Sequence, residues 1–247
     1  MLSNVFSLVY FIIVFRKLKD DTTLVLPTRI EKIGSFNKRS LYSVGIPAAI
    51  AIFLFDLVTI VLNRLTAAYG DIPLAAVGIV LKLERIPLNT GLGICLGMVP
   101  LVAYNYGARN YERMKQFLRI TAMTVTIFTC LCTALFRLFS SSLIGVFIDN
   151  PQTVSEGSAF MHCRCLSLPF MMIGYVVTNY MNAIDRGKIS FLFAIVRHIV
   201  LIIPISMIMN TLWALPGLMW SQLVSDLIAS VFILFVYIRV SHKVTVS

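Results

Sequence analysis

The sequence predicts an all-α polytopic membrane protein, a six-helix transmembrane bundle preceded by a short N-terminal apolar stub. Three observations carry that prediction. The 247 residues are 58% hydrophobic and 13% charged, with a mean hydropathy of +0.88, whereas average soluble domains carry about 25% charged residues. The apolar residues gather in runs close to the roughly 20 residues that cross a bilayer as a helix, and they lack the alternation of roughly 10-residue barrel strands. Fifteen of the 21 cationic residues fall in alternate connections and the intervening connections carry none, which is the asymmetry of chains that keep Lys and Arg on the cytoplasmic face.

The stub, 1–15, is too short to cross a bilayer comfortably. Arg16, Lys17 and Lys19 follow its apolar run instead of preceding it, unlike a secretory signal. It reads as the end of a transmembrane helix whose beginning is missing. Residues 16–40 then form a basic cytoplasmic connection. Full spans follow at about 41–65, 74–104, 117–136, 159–184, 189–209 and 215–237. Together they make one six-helix lobe over 41–239, with 240–247 as a cytoplasmic tail.

Orientation follows from charge. The segment 16–39 carries seven Lys or Arg, and fifteen of the 21 lie on its side of the membrane. The opposite connections, around 67–73, 140–157 and 210–217, carry Asp71, Asp149 and Glu156 and no cation. This places the C-terminus in the cytoplasm and the chain in the cell (plasma or inner) membrane as a multi-pass protein. The excess of Lys and Arg over acids therefore serves topology, and no nucleic-acid partner is expected. The segment "YNYGARNYERMK" fits that map: Tyr104, Tyr106 and Tyr111 sit at interface depth with Asn105 among them, Gly107 lets the chain turn, and Arg109, Arg113 and Lys115 anchor the loop.

Several charges lie inside spans. Asp56 is roughly 22 Å from the cytoplasmic start of its helix, Glu84 and Asp226 roughly 15 Å from their outer starts, and Arg197 roughly 12 Å from its entry. A charge facing lipid at such depth costs at least about 2.5 kcal/mol, so these groups must face protein or water. Lys82 and Arg85 share a helical face, repel each other and need acids from other helices. Asp226 shares a face with Gln222 and is the expected counter-charge to Arg197 or to Lys82 and Arg85. The set Asp56, Lys82, Glu84, Arg85, Arg197 and Asp226 is either a buried ion network that locks the bundle or the lining of a substrate and ion cavity. Pro47, Pro87, Pro100, Pro169 and Pro204 lie within or beside spans and predict kinks, which membranes tolerate where neighbours or cavity water resatisfy the backbone.

Catalytic signatures do not emerge. His162-Cys163-Arg164-Cys165 offers ligand types, but adjacent helical positions diverge by about 100° and do not converge on one metal. The five cysteines fall in apolar stretches and suggest small hydrophobes instead of a disulfide framework.

The stretches "GIPAAI" (45–50), "NRLTAAYGDIPLAAVGIVLKLERIPL" (63–88), "GMVPLVAYNYGARNYERMK" (97–115), "SLPFMMIGYVVTNYMNAIDRGK" (167–188) and "GLMWSQLVSDLI" (217–228) resemble the multidrug and toxic compound extrusion (MATE) family. The resemblance implies one lobe, helices 7 to 12 with the end of helix 6, of a two-lobe transporter. It implies a cation-coupled antiporter exporting organic cations, with Na⁺ or H⁺ as coupling ion, no other cofactor, and a second lobe as partner. The segment "YNYGARNYERMK" would then join helices 8 and 9 as hinge and gate packing. In the ungapped alignment, the acid some members carry in helix 7 falls on Phe55, one residue before Asp56. The acid used in helix 10 has no counterpart in 159–184. Two other readings stand beside this one: a lipid-linked oligosaccharide flippase of the same superfamily, favouring Lys82, Arg85 and Arg197, and a non-transporting truncated fragment.

Overall fold

The computed structural model describes residues 2–17 and 35–246, and the chain forms two compact units, Met1–Val44 and Gly45–Ser247. The first contains α1 (Leu2–Lys17) and the start of α2 (Ser35–Ala67). Most of the expected 16–40 connection, residues 18–34, lies outside the described residues.

In the second unit α2 is followed by α3 (Asp71–Gly107), α4 (Tyr111–Leu138) and a short helix α5 (Ser140–Gly145). Then α6 (Pro151–Arg164) passes through a 3₁₀ turn, Cys165–Ser167, into α7 (Leu168–Ala183). Finally α8 (Gly187–Ile195) passes through a wide π turn, Val196–Ile202, into α9 (Ile203–Val246). Among the described residues every regular element is helical, as a bilayer demands of a chain without a closed sheet.

The span 187–239 would be roughly 80 Å long as one rod, against a hydrocarbon core of about 30 Å. It does not run straight. Ala214, with φ 52° and ψ −137°, breaks the helix in the sequence "WALPG". Across that break the Ser206 hydroxyl donates to the Ser221 hydroxyl at 3.2 Å, and Arg197 reaches Asp226. The two arms are therefore antiparallel neighbours, in keeping with two expected spans and a connection near 210–217. Gly217 is required at this turn, because a Cβ there would fall on the Met209 carbonyl.

Two connections share one chemistry. After α3, the Asn110 N–H donates to the Asn105 carbonyl at 2.9 Å and the Arg109 N–H to the Tyr106 carbonyl at 3.1 Å. After α7, the Arg186 N–H donates to Met181 at 2.8 Å and the Asp185 N–H to Asn182 at 3.2 Å. Both are Schellman closures, which place their C′ residue in the left-handed region. That residue is Arg109 (φ 56°) in one and Asp185 (φ 60°) in the other. The turn expected from Gly107 is thus made by Arg109, and Gly107 ends α3 in open space.

Asn110 caps α4 by accepting from the Arg113 N–H at 3.2 Å, so the helix starts at Tyr111, well before position 117. Arg113, Lys115 and Arg119 accordingly stand on helix and not in a loop. Asn150 caps α6 in the same way, accepting from the Gln152 and Thr153 N–H groups. The 140–157 connection therefore carries α5 and the start of α6, and the expected tail is continued helix to Val246.

The core is built on α3, whose buried positions Val77, Val80, Glu84, Leu88, Gly91, Cys95, Met98 and Val102 recur at steps of three and four. It packs against Phe160, Met161, Met172, Met181, Leu218 and Ile233. Gly91 admits the Met172 sulfur to within 2.8 Å of where a Cβ would stand. Ile86, Leu96, Leu101, Ile120, Ile127 and Leu131 are exposed on the outer faces of α3 and α4, a surface that lipid and not water can cover.

The proline at Pro169 shows how the break in the α6–α7 arm is sustained. A proline has no N–H to give the carbonyl four residues back, here Cys165. The Thr133 hydroxyl of α4 donates to that carbonyl at 2.9 Å, and the Leu168 N–H closes the 3₁₀ turn onto it.

Candidate functional site

Five helical arms converge on one polar pocket inside the second unit. From α2 come Phe55, Val58, Thr59 and Leu62, and from α3 Leu81, Glu84, Arg85 and Leu88, each set one helical face. Arg164 and Met171 enter from the α6–α7 arm, Arg197, His198 and Ile202 from the π turn, and Gln222 from the returning arm of α9. The space open to water is about 40 Å³, enough for one or a few waters and far below the roughly 300 Å³ of drug-sized sites.

The charges in and around it are paired across helices. Asp226, 1% exposed, accepts at Oδ1 from Arg197 Nε at 2.8 Å and Nη2 at 2.7 Å, and at Oδ2 from Gln222 Nε2 at 2.7 Å. Both carboxylate oxygens are satisfied. The Arg197 guanidinium also lies over the Tyr175 ring at 5.5 Å and donates through Nη1 to the Tyr175 hydroxyl at 3.5 Å. Its contact with His198 Nε2 at 3.4 Å fixes that imidazole's tautomer. An arginine only donates, so Nε2 accepts and Nδ1 carries the proton given to the Ala194 carbonyl at 2.8 Å. The His198 ring meets Phe55 edge-on, with centroids 6.2 Å apart.

Glu84 forms the second pair, with Arg164 Nε, and both side chains are about nine-tenths buried. Arg164 lies with Cζ 5.8 Å from the Phe160 ring centroid. Sequence reasoning missed this arginine. The signal was available: an Arg inside the expected span 159–184, which holds no acid, must take one from elsewhere. Within "HCRC" the residues turn apart, His162 toward the Ser140 hydroxyl and the Arg137 carbonyl at 2.9 and 3.1 Å, and Arg164 toward Glu84.

Four of the six cavity candidates thus come together, Glu84, Arg85, Arg197 and Asp226, although Asp226 touches the pocket through Arg197 and Gln222. Asp56 and Lys82 do not. Asp56 is exposed while Phe55, one step back and about 100° away, faces the pocket. Lys82 is exposed too, two steps from Glu84 on another face of α3. The expectation that Lys82 and Arg85 hold acids from other helices is not met. Glu84 goes to Arg164, and among the described residues neither Lys82 nor Arg85 has an ion pair. Of the loop motif, Asn105 is buried with Nδ2 donating to the Leu101 carbonyl at 2.8 Å, Tyr104 is exposed, Tyr106 half-buried, and Arg109 makes the turn.

The model of the MatE family matches residues 47–208, which includes every helix lining the pocket except the returning arm of α9. The chain belongs to the MatE family. It is 29% identical over 249 residues to the multidrug export protein MepA of Staphylococcus saprophyticus, covering 99% of this chain and 53% of that protein. It is 26% identical over 245 residues to MepA of Staphylococcus haemolyticus, with the same coverage. Among solved structures, a variant of the Vibrio cholerae MATE transporter VcmN superposes with a TM-score of 0.85 at 18% identity, covering 95% of this chain and 53% of that one. A MOP superfamily transporter from Pyrococcus furiosus superposes at 0.83 with 15% identity, covering 96% and 54%. This MatE chain therefore spans about half the length of the relatives it matches, and it is a multi-pass membrane protein with the fold of one MATE lobe.

Proposed function

We propose that this MatE lobe is part of a multidrug exporter, a secondary antiporter that moves organic cations out across the cell membrane in exchange for Na⁺ or H⁺. The observation that carries this reading is the buried Arg197–Asp226–Gln222 cluster beside a water-sized pocket, set on a π turn and a bent helix. A π turn widens the helix and is frequent at functional sites. Intramembrane acids facing a polar interior mark ion and substrate paths.

Both acids are held by arginines at rest, Asp226 by Arg197 and Glu84 by Arg164. A cation must compete with a guanidinium for its carboxylate. Protonation of the acid, or Na⁺ arriving at it, weakens the pair and releases the arginine. The helices carrying the two partners then change their preferred packing. Coupling of this kind requires only that ion and substrate prefer different states of the same carboxylates. The coupling ion is the one cofactor the mechanism calls for.

The pocket of one lobe is too small for a drug. The substrate site in this reading lies between this lobe and a second of the same fold, the partner the exporter needs. The names of the MepA relatives favour this reading over lipid-linked oligosaccharide flipping and over a fragment without transport. The positive-inside asymmetry puts the C-terminus in the cytoplasm.

The test is efflux of a fluorescent organic cation from cells making the protein, alone and together with a first-lobe polypeptide of a MATE relative. An imposed Na⁺ gradient and an imposed pH gradient are applied in turn. Efflux driven by one gradient is expected when both lobes are present. Dye retained under both gradients, with both lobes in the membrane, overturns the reading.

A further inference from the structure

A second concavity, unconnected to the polar pocket by any shared residue, opens on the outer face of the bundle. Lys115, Leu118, Arg119, Ala122, Met123, Thr126 and Ile127 of α4 line one wall at steps of three and four. Ile173, Val176 and Val177 of α7 with Leu234 and Tyr237 of α9 line the other. Its volume is about 540 Å³, in the range of sites that hold a molecule and not a solvent gap. Leu118, Val176 and Val177 are buried and form the floor, while Met123, Ile127 and Leu234 stand exposed as rims. The small Ala122 keeps the wall low between them.

The groove is charged at one end only. Lys115 and Arg119 are four residues apart and share that end with Tyr237, whose ring meets Tyr180 edge-on at 5.7 Å. Among the described residues Glu112 is the one acid paired there, 3.4 Å from the Lys115 ammonium with its own side chain 83% exposed. Arg119 has no ion pair among the described residues. Two cations against one solvated acid leave that end positive. From Lys115 to Ile127 the groove is roughly 18 Å long, against about 15 Å for the hydrocarbon depth of one leaflet.

We infer that this groove binds a single anionic phospholipid, its phosphate against Lys115 and Arg119 and one acyl chain along Leu118, Ala122 and Val177. An apolar trough of leaflet length with a cationic mouth matches that amphiphile. An organic cation would meet repulsion at the mouth, and a soluble anion would leave the apolar length unused. A guanidinium and an ammonium side by side suit a phosphodiester, which the arginine grips at two oxygens. The proposed membrane orientation enters only in choosing the cytoplasmic leaflet as the source. Failure of the transport reading would leave the groove and its test intact.

The experiment is native mass spectrometry of the purified protein in mild detergent, titrated with dioleoyl phosphatidylglycerol or with dioleoyl phosphatidylcholine. One phosphatidylglycerol is expected to persist, preferred by about tenfold, the effect of about one charge-assisted contact. The Lys115→Gln/Arg119→Gln variant should bring that preference near unity without loss of fold, since both side chains stand at the mouth. Ala122→Leu should reduce retention of either lipid by narrowing the trough. Equal retention of both lipids by the unaltered protein overturns the proposal, as does unchanged selectivity in the double variant. Displacement of the lipid by an organic cation or by inorganic phosphate overturns it as well, by assigning the groove to a different ligand.

Discussion

Arg197 and Asp226, twenty-nine residues apart in sequence, meet at 2.7 Å across the bend of one continuous apolar stretch. Each comes from a different arm, so the pair ties the two arms together at mid-depth. Removing one member of a buried pair leaves the other charge without a partner, typically at about 3–5 kcal/mol. Asp226→Asn keeps an acceptor for the guanidinium, removes the charge, and turns the oxygen that accepts from Gln222 into a donor. Its expected effect is surviving membrane insertion, a lower melting temperature in detergent, and at least tenfold lower efflux. Pairing it with Arg197→Gln should restore stability, because two neutral amides can bond each other, and should leave efflux low. If Asp226→Asn exports dye at the normal rate, the charge is dispensable and the cluster is structural.

The same logic separates Glu84 from the acids of the connections. Glu84→Gln leaves Arg164 buried among Phe160, Met171 and Leu88 without its counter-charge, and it should lower the melting temperature by several degrees. Asp149→Asn alters an exposed loop carboxylate and should lie within about 0.5 kcal/mol of the unaltered protein. Thermal unfolding of both variants side by side checks the ranking, which fails if the two shifts are alike.

Asp185 occupies the left-handed C′ position of its Schellman closure, φ 60°, where glycine is the usual residue. An L side chain there costs roughly 1 kcal/mol or more. Asp185→Gly should therefore raise stability by up to about 1 kcal/mol. Asp185→Val should lower it, since a β-branched side chain is a poor fit for this region. A glycine variant less stable than the parent would mean that the carboxylate itself contributes to the closure.

What could be read in advance divides along a physical line. The spans were legible because a bilayer forces long apolar runs, and the bend within 187–239 because a connection around 210–217 separates two of them. Depth was legible for the same reason: Glu84, Arg197 and Asp226 lie mid-span and the structure buries them. Rotation about the helix axis was not. Asp56 is as deep as Phe55 but faces away, and an apolar helix gives no contrast between one side and the other. Partner choice was hidden as well. Glu84 has Lys82 and Arg85 beside it in sequence, yet the sites those residues reach on α3 diverge, and Arg164 from the α6–α7 arm takes the carboxylate. Similarly, Gly107 drew attention as the flexible residue, but the hydrogen bonds of the closure put the left-handed position two residues later, on Arg109.

The hydroxyl of Thr133 gives a test of how the break at Pro169 is tolerated. Proline cannot donate to the Cys165 carbonyl, and in a lipid-surrounded bundle no bulk water replaces the missing bond. Thr133, buried on the facing helix, donates to that oxygen at 2.9 Å. Thr133→Val is nearly the same size and removes only the donor, so its cost measures the bond itself, about 1 kcal/mol for hydrogen bonds between membrane helices. Pro169→Ala restores an N–H aimed at the same carbonyl and lets the 3₁₀ turn relax toward α-helix. In that background the carbonyl gains an α-helical partner in addition to the Leu168 N–H it already accepts from, and Thr133→Val should cost less than half as much. A double-mutant cycle in detergent unfolding measures the difference. Equal costs in the two backgrounds would mean that Thr133 stabilises the arm by some route other than replacing the bond that Pro169 removes.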